Sequence, residues 1–280
     1  MRRINEHIYT WSDSRETNLG LVVTEEGAIV IDTPFFPADA QQWHEQVVRV
    51  GGEPLYVINT DHHLGHCLGN CRFTAPVVAH HFAANYVTQK YDDVFHTRLV
   101  DSFRERQPHV AAGLRRTKFV VPEVGVMDRL TLHKGGVEVE LIHVGGHTPA
   151  TVMVHIPVAG VLFSGDILVV ERHPYLGDAN SEEWLQALEL VREIGAEKVV
   201  PGHGRLIEGR DIDRLRDYIV EMREAVQGHF DAGLTRKETV TRVKMLDRFP
   251  VAKEERVRVE KRVKASVQRL YDEFKAQARK

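Results

Sequence analysis

The residues best suited to chemistry are a set of His and Asp side chains that follow apolar, strand-like segments. Asp61, His63 and His66 follow YVINT, His147 follows LIHVGG, Asp166 follows VLFSG, and His203 follows KVVPG. A lone histidine after a strand is most often structural or on the surface. The same form at four strand ends indicates a functional site, because strands hold the bases of loops rigidly while the loops stay accessible.

The spacing within the first of these segments favours metal binding. Asp61 and His63 are two residues apart and point the same way if the backbone is extended. His66 comes after Gly65, a residue that permits a tight turn. One loop could therefore supply ligands to two neighbouring metal positions. Neutral imidazole and carboxylate groups suit zinc, iron and manganese.

The elements that must position these residues alternate between strands and helices. A hairpin is predicted around the turn at residues 24–27, a helix over 38–50, and buried strands at PLYVINT and APVVAH. Residues 81–106 have a polar helical pattern and are interpreted as an insertion that shapes substrate choice and not metal binding. Strand-like runs return at KFVVPEVGV, RLTLH, VEVELIHV, TVMVHIP and GVLFSGDIL. This order predicts a layered α/β sandwich.

The C-terminal quarter is predicted to be helical. We expect a body domain over residues 1–210 and a helical extension over 211–280 that packs on the same domain. Within the extension, residues 253–280 carry one apolar stripe typical of an amphipathic helix, formed by Val257, Val259, Val263, Val267, Leu270, Tyr271 and Phe274. A homodimer seam along this C-terminal helix is the alternative use of the stripe.

Composition narrows the class of partner. The chain has 280 residues and a net charge of −3, which gives no electrostatic reason to expect a nucleic-acid partner. No apolar run reaches the length of a membrane span, and MRRINEHIYTW is not expected to act as a signal peptide, because no apolar run follows its two arginines. Two cysteines do not form a disulfide framework, so a reducing, cytoplasmic location is expected. The expected partner is a small-molecule substrate.

Several motifs together resemble the metallo-β-lactamase superfamily. The run N-T-D-H-H-L-G-H is similar to the family signature T-H-x-H-x-D-H, and G-G-H-T-P, F-S-G-D and P-G-H-G match three later metal motifs in order. The resemblance covers roughly residues 4–207. It implies an αββα metallo-β-lactamase sandwich with the metals in a groove at one edge of the sheets. It also implies a metal-bound hydroxide that attacks an ester, thioester, lactone, amide or phosphoester.

The resemblance also implies a role for each residue. One metal site would consist of Asp61, His63 and His147, and the other of His66 and His203, with Asp166 bridging both ions. Asp61, Asp166 and His203 are the catalytic candidates, and Asp166 or His203 would assist proton movement. The expected cofactor is one or two zinc ions, with iron or manganese as alternatives. Asp32 is similar to a family residue that hydrogen-bonds around the site, although an Asp that caps a turn explains it almost as well.

Two departures from the family signature leave the function open. Asp61 stands where the family has His, and Gly65 stands where the family has a ligating Asp. The ligand set therefore also resembles the two-His, one-carboxylate triad of non-haem iron. A metal-dependent hydrolase is the leading hypothesis, and a mononuclear iron oxidoreductase or a metal-binding protein with impaired catalysis are the alternatives. His62 is expected to support the ligands or face solvent, and Arg172, His173 and Tyr175 are candidates for substrate contact.

Overall fold

The computed structural model describes residues 1–12 and 17–279. Its strands are β1 (Arg2–Arg3), β2 (Ile8–Trp11), β3 (Leu19–Thr24), β4 (Gly27–Ile31), β5 (Pro54–Ile58), β6 (Val77–His80), β7 (Val124–Val126), β8 (Arg129–Lys134), β9 (Val137–His143), β10 (Val152–Ile156), β11 (Val161–Phe163) and β12 (Lys198–Val200). Its helices are α1 (Pro37–Gly51), α2 (Leu64–Cys67), α3 (His81–Lys90), α4 (Asp93–Phe103), α5 (Pro108–Leu114), α6 (Ser181–Ile194), α7 (Asp211–Asp231), α8 (Arg236–Arg242) and α9 (Arg256–Gln277).

The strands form two sheets. The first has seven strands in the order β1-β2-β3-β4-β5-β6-β7, and the second has five in the order β12-β11-β10-β9-β8. In the first sheet β1 to β4 are antiparallel, including the predicted hairpin of β3 and β4, while β4 to β7 are parallel. In the second sheet β11 and β12 are parallel and the other neighbours are antiparallel.

Side chains alternate along each strand, so the two faces of the seven-stranded sheet pack against different layers. Leu19 and Leu21 of β3 share a buried cluster with Trp43 and Val47 of α1. Val22, on the opposite face of β3, shares a second cluster with residues of β9, β10 and β11. The first two layers of the fold are therefore a helix and a sheet, and the sheets pack face to face.

The outer face of the five-stranded sheet is covered by helices. Met153 of β10 and Leu162 of β11 lie in a buried cluster with residues of α6, α7 and α9. The layers therefore follow the order helix, sheet, sheet, helix, which confirms the predicted αββα sandwich. Among the described residues, no helix combines the length and the apolar character needed to cross a bilayer.

The apolar stripe of the C-terminal helix faces this cluster. Val263, Val267, Leu270 and Phe274 are buried against the body of the domain. Val257 does not belong to the buried face, because 64% of its surface is exposed. The prediction that Val257 belongs to the apolar stripe was wrong. Helix α9 begins at Arg256, and its first turn, which contains Val257, extends beyond the core that the later turns cover.

Two predicted boundaries are corrected by the structure. The helical insertion does not end at residue 106, because α5 continues it to Leu114. The strand predicted at KFVVPEVGV is confined to β7, and residues 118–123 are irregular. Pro122 explains this result, since proline has no N–H for a sheet ladder and restricts the backbone of the residue before it.

Hydrogen bonds join α9 to the segment that precedes α6. Ser266 Oγ accepts from the backbone N–H of Leu176 at 2.9 Å, and Arg269 Nε donates to the carbonyl of Ala179 at 2.6 Å. Glu273 accepts from the backbone N–H of Ser181 at 3.2 Å. The C-terminal helix therefore fixes residues 176–181, which lie next to the functional site.

Candidate metal centre

The six predicted ligands come together at one edge of the two sheets. Each follows the end of a strand, which is β5, β9, β11 or β12; His66 lies on the short helix α2, and Asp166 lies in one turn of 3-10 helix. They form two groups in which one ligand atom from each residue lies within 4.8 Å of the others, namely Asp61, His63 and His147, and His66, Asp166 and His203. These are the two sets that the family resemblance implies.

In the first group three donor atoms face one another. Nδ1 of His63 lies 3.2 Å from Oδ2 of Asp61 and 3.2 Å from Nε2 of His147. Oδ2 of Asp61 is 3.5 Å from Nε2 of His147. Two imidazole nitrogens and one carboxylate oxygen therefore converge on a single position.

Asp166 connects the two groups. Its Oδ1 lies 3.3 Å from Nε2 of His203 and 3.5 Å from Nε2 of His66. Its Oδ2 lies 3.4 Å from Nε2 of His147, which belongs to the first group. Each oxygen of this carboxylate therefore faces a different group, an arrangement that suits a residue shared by two ions.

A second carboxylate, that of Asp32, orients His66. Nδ1 of His66 donates to Oδ2 of Asp32 at 2.8 Å, which leaves Nε2 facing Asp166. Asp32 is itself held by the backbone N–H of Thr60 at 2.7 Å and by the Thr60 hydroxyl at 2.6 Å. The backbone of Asp32 has a φ of 60°, a left-handed conformation that a non-glycine residue adopts at some energetic cost. These contacts agree with the role expected from the family resemblance.

Asp178 orients His63 in the same way and was missed by sequence reasoning. Its Oδ2 accepts from Nε2 of His63 at 3.2 Å, which keeps the proton on Nε2 and leaves Nδ1 to face the other donors. This hydrogen bond lowers the pKa of Asp178. Asp178 lies in an irregular segment without a recognisable motif, so only the folded structure reveals the contact.

The charges in the site fit a cation. Burial alone would lower the pKa of His63, but the carboxylates of Asp61 and Asp178 outweigh it and raise that pKa to about 10. Oδ2 of Asp61 and Oδ1 of Asp166 are buried and accept no hydrogen bond from any residue that the structure describes. The carboxylates therefore need positive charge, which a divalent ion can supply in place of imidazole protons.

Small residues let the ligands approach one another. A Cβ atom on Gly202 would lie 2.0 Å from Oδ1 of Asp166, so only glycine fits immediately before His203. The side-chain amide of Asn18 donates to the carbonyls of Pro201 and Gly204 at 2.8 and 2.7 Å. The loop that carries His203 is therefore held from the N-terminal part of the chain.

A cavity of about 550 Å³ opens onto the ligands. Gly65, Arg172, His173 and Tyr175, all predicted near the site, line this cavity together with five of the six ligands. The C-terminal region forms another wall, contributed by Pro250, Val251, Glu255, Arg258, Val259 and Arg262. Sequence reasoning did not predict this wall. Of its six residues only Val259 belongs to the predicted apolar stripe of α9, and that stripe was interpreted as packing on the body of the domain.

His62 packs against the helical insertion. His62 is buried, and its ring centroid lies 3.9 Å from that of Tyr86 in α3. The hydroxyl of Tyr91 donates to the His62 carbonyl at 2.8 Å. No residue of 81–106 is among the described residues that line the cavity. The structure thus gives no support to a role for the insertion in substrate choice, and places it behind the loop that carries Asp61 and His63.

Comparison with known proteins agrees with this geometry. The family model of the metallo-beta-lactamase superfamily matches residues 13–203. The chain therefore belongs to that superfamily, as its motifs predicted.

Relatives and solved structures extend the comparison. Acyl-coenzyme A thioesterase MBLAC2 of Homo sapiens is 26% identical over 228 residues, which cover 76% of this chain and 81% of the relative. Metallo-beta-lactamase type 2 of Bacteroides fragilis is 24% identical over 216 residues, covering 72% of this chain and 78% of the relative. The sec-alkylsulfatase Pisa1 from Pseudomonas sp. has a similar fold, with a TM-score of 0.73 at 14% identity. That similarity covers 97% of this chain and 49% of the alkylsulfatase chain.

The class of protein follows from the family and the site together. Proteins of this superfamily typically hold divalent metal ions, and the two groups of His and Asp residues have the donor atoms for such ions. The chain is a metallohydrolase of metallo-β-lactamase type.

Proposed function

We propose that the chain hydrolyses a small acyl ester or thioester at a zinc centre held by the two ligand groups. The observation that carries this proposal is the position of Asp166, whose oxygens face both groups at the base of the cavity. A bound divalent metal would supply Lewis acidity toward the carbonyl oxygen and make water a nucleophile near neutral pH. Two imidazoles and a carboxylate in each group suit zinc.

The protein's own residues would position the ligands and the substrate. Asp32 and Asp178 hold His66 and His63 so that one ring nitrogen of each faces the other donors. Trp184 lines the cavity, and its ring lies edge-on to His147 with 5.0 Å between centroids. Val169 adds apolar surface to the same cavity, as an acyl chain would require. His203 or Asp166 would assist proton movement.

The choice of ester and thioester among the reactions of the superfamily has two supports. The human relative that matches most of this chain is named an acyl-coenzyme A thioesterase. The cavity also combines apolar side chains with the polar ligands at its base. The mononuclear iron oxidoreductase is the competing function, because each group alone is a set of two histidines and one carboxylate.

Ligand variants combined with metal analysis test the proposal. His147→Ala and His203→Ala should each abolish hydrolysis of acyl thioesters and p-nitrophenyl esters and reduce metal content, while the protein stays folded. His133→Ala is the matched control, because this histidine lies on β8 and 72% of its side-chain surface is exposed. Two zinc ions per chain support hydrolysis, whereas one iron ion supports the oxidoreductase. Wild-type turnover and metal content in either ligand variant would show that the ligand assignment is wrong.

A further inference from the structure

Three arginines line the cavity that contains the ligands. Arg172 follows the Asp166 turn, and Arg258 and Arg262 lie one turn apart on α9. Nη1 of Arg172 is 3.4 Å from Nδ1 of His203, so this guanidinium lies beside the second ligand group. The whole chain carries a net charge of −3, which makes this concentration of positive charge a local feature.

Arg262 is held in place by an aromatic ring. Its guanidinium carbon lies 5.2 Å from the ring centroid of Tyr175, a distance suited to a cation–π contact. The Tyr175 ring is in turn 6.3 Å from the ring of His63. The guanidinium of Arg262 is therefore preorganised near the first ligand group. Preorganisation reduces the conformational entropy that the arginine loses when a substrate anion binds.

Acidic residues also line this cavity. Glu171 and Glu255 line the same cavity, and Oε1 of Glu171 lies 3.5 Å from Nε of Arg205, outside the cavity. Because Asp166 lines the cavity as well, three arginines stand against three carboxylates before any metal ion is counted. Asp166 belongs to the ligand groups, so divalent ions bound there would make the cavity positive overall. Pro250 and Val251 contribute apolar surface beside Arg258 and Arg262.

We propose that Arg258 and Arg262 bind an anionic oxygen group of the substrate, such as a phosphate, sulfonate or carboxylate, away from the bond that is hydrolysed. The substrate class is thereby an amphipathic ester or thioester with an apolar acyl part and an anionic part. This inference rests on the proposed function for its reaction, but the anion site can be tested without turnover. Guanidinium groups suit this role because their N–H donors match the oxygens of such anions.

Calorimetric titration of the metal-loaded full chain with hexyl phosphate tests the site. Arg258→Gln and Arg262→Gln should each weaken binding about tenfold, the loss expected for one charged hydrogen bond. Arg262→Lys retains the charge and should lose less. Arg256→Gln is the matched control, because Arg256 lies on the same helix, pairs with Glu260 at 3.3 Å and does not line the cavity.

The outcomes separate this inference from the proposed function. Equal hexyl phosphate affinity in wild type and both glutamine variants, with unchanged melting temperatures, would overturn the arginine site and assign the phosphate to the metal ions. Weakened binding in those variants, but not in Arg256→Gln, supports it. Turnover is measured separately with the hexanoyl thioester of 2-mercaptoethanesulfonate. If wild type binds hexyl phosphate through the arginines and hydrolyses no ester or thioester, the proposed function fails and the anion site stands.

Discussion

Two histidine ligands of this site are each held by a carboxylate that does not belong to either ligand group. Asp32 holds His66 and is almost fully buried, whereas 45% of the Asp178 side chain is exposed. Partners of this kind fix the ring orientation and the proton position of a ligating imidazole. The contribution of Asp178 can be measured directly, because the residue is accessible and its replacement leaves the core intact.

Asp178→Asn should weaken metal binding at the first ligand group by about 10- to 100-fold, the range typical when such a partner is lost. The reason is that the amide holds the His63 proton less firmly on Nε2. Competition with a chromogenic chelator measures the affinity. Asp217→Asn is the matched control, since Asp217 lies on α7 and 70% of its side chain is exposed. Equal affinities in the two variants would count against a positioning role for Asp178.

Gly65 is the second residue whose replacement is informative. Its φ lies outside the left-handed region, so an aspartate here meets no backbone strain. A Cβ atom would lie 2.9 Å from Oγ1 of Thr17, so that side chain must shift slightly. Gly65→Asp should raise the affinity of the second ligand group at least about tenfold, because it adds a carboxylate beside His66. Gly65→Asn has the same size without the charge and is the control. Calorimetric titration of metal into stripped protein gives both affinities, and no gain of Asp over Asn contradicts the prediction.

The sequence predicted which six His and Asp residues come together, but it did not predict the residues that pack around them. The six predicted ligands share a local sequence pattern, in which an apolar strand is followed by a turn and a His or Asp. In the structure each of them follows the end of a strand, as this pattern predicts. Asp178 and Trp184 reach the ligands through tertiary contacts, which no local pattern encodes. Trp184 in particular lies on the buried face of α6 and is indistinguishable by spacing from an ordinary core residue.

Among the elements, α9 has the most direct link to the site. It supplies Arg258 and Arg262 to the cavity and holds the segment that carries Asp178. Ser266 is central to this contact, because its hydroxyl accepts from the buried backbone N–H of Leu176 and donates to the Arg262 carbonyl at 3.0 Å.

Ser266→Ala should lower the free energy of unfolding by about 1–3 kcal/mol, since it leaves the buried N–H of Leu176 without an acceptor. Urea denaturation monitored by circular dichroism measures the change. Ser102→Ala is the matched control, because the Ser102 hydroxyl is exposed on α4 and bonds only within its own helix, to the Leu99 carbonyl at 2.7 Å. A loss in Ser266→Ala no larger than that in the control would show that this hydrogen bond contributes little.

Long elements were predicted more accurately than short ones. The helix of residues 38–50 and the strands β8 to β10 have a periodicity that several residues repeat, so one exception does not hide it. The start of the strand predicted at KFVVPEVGV is set by one residue, Pro122. The end of the helical insertion is likewise set by one residue, Pro108. Pro108 begins α5 and extends the helical region. Local periodicity also could not show that the insertion packs behind the metal loop.

At the scale of the whole molecule, the ligands join the two sheets. Asp61, His63 and His66 follow β5 of the seven-stranded sheet, whereas His147, Asp166 and His203 follow strands of the five-stranded sheet. A metal ion bound here links both sheets, and it binds the folded chain in preference to the unfolded chain. Metal binding should therefore stabilise the entire domain.

Addition of zinc at 100 times its dissociation constant should stabilise the chain by about 2.7 kcal/mol, and chelation should remove this gain. For a chain of this size the melting temperature should shift by about 5–10 °C. Differential scanning calorimetry with and without chelator measures the shift. His203→Ala should show a smaller shift and His133→Ala the wild-type shift. An unchanged melting temperature in wild type after verified metal removal would contradict the prediction.

The predicted metal ligands and one wall of the cavity come from different parts of the chain. All six ligands lie within residues 61–203, inside the region that defines the superfamily, while one wall comes from residues 250–262, beyond it. On the proposed function, mutations in the C-terminal helices would change the wall of the cavity without changing the six predicted ligands. A substrate inferred from a relative would therefore apply to this chain only if that relative also shares the C-terminal wall.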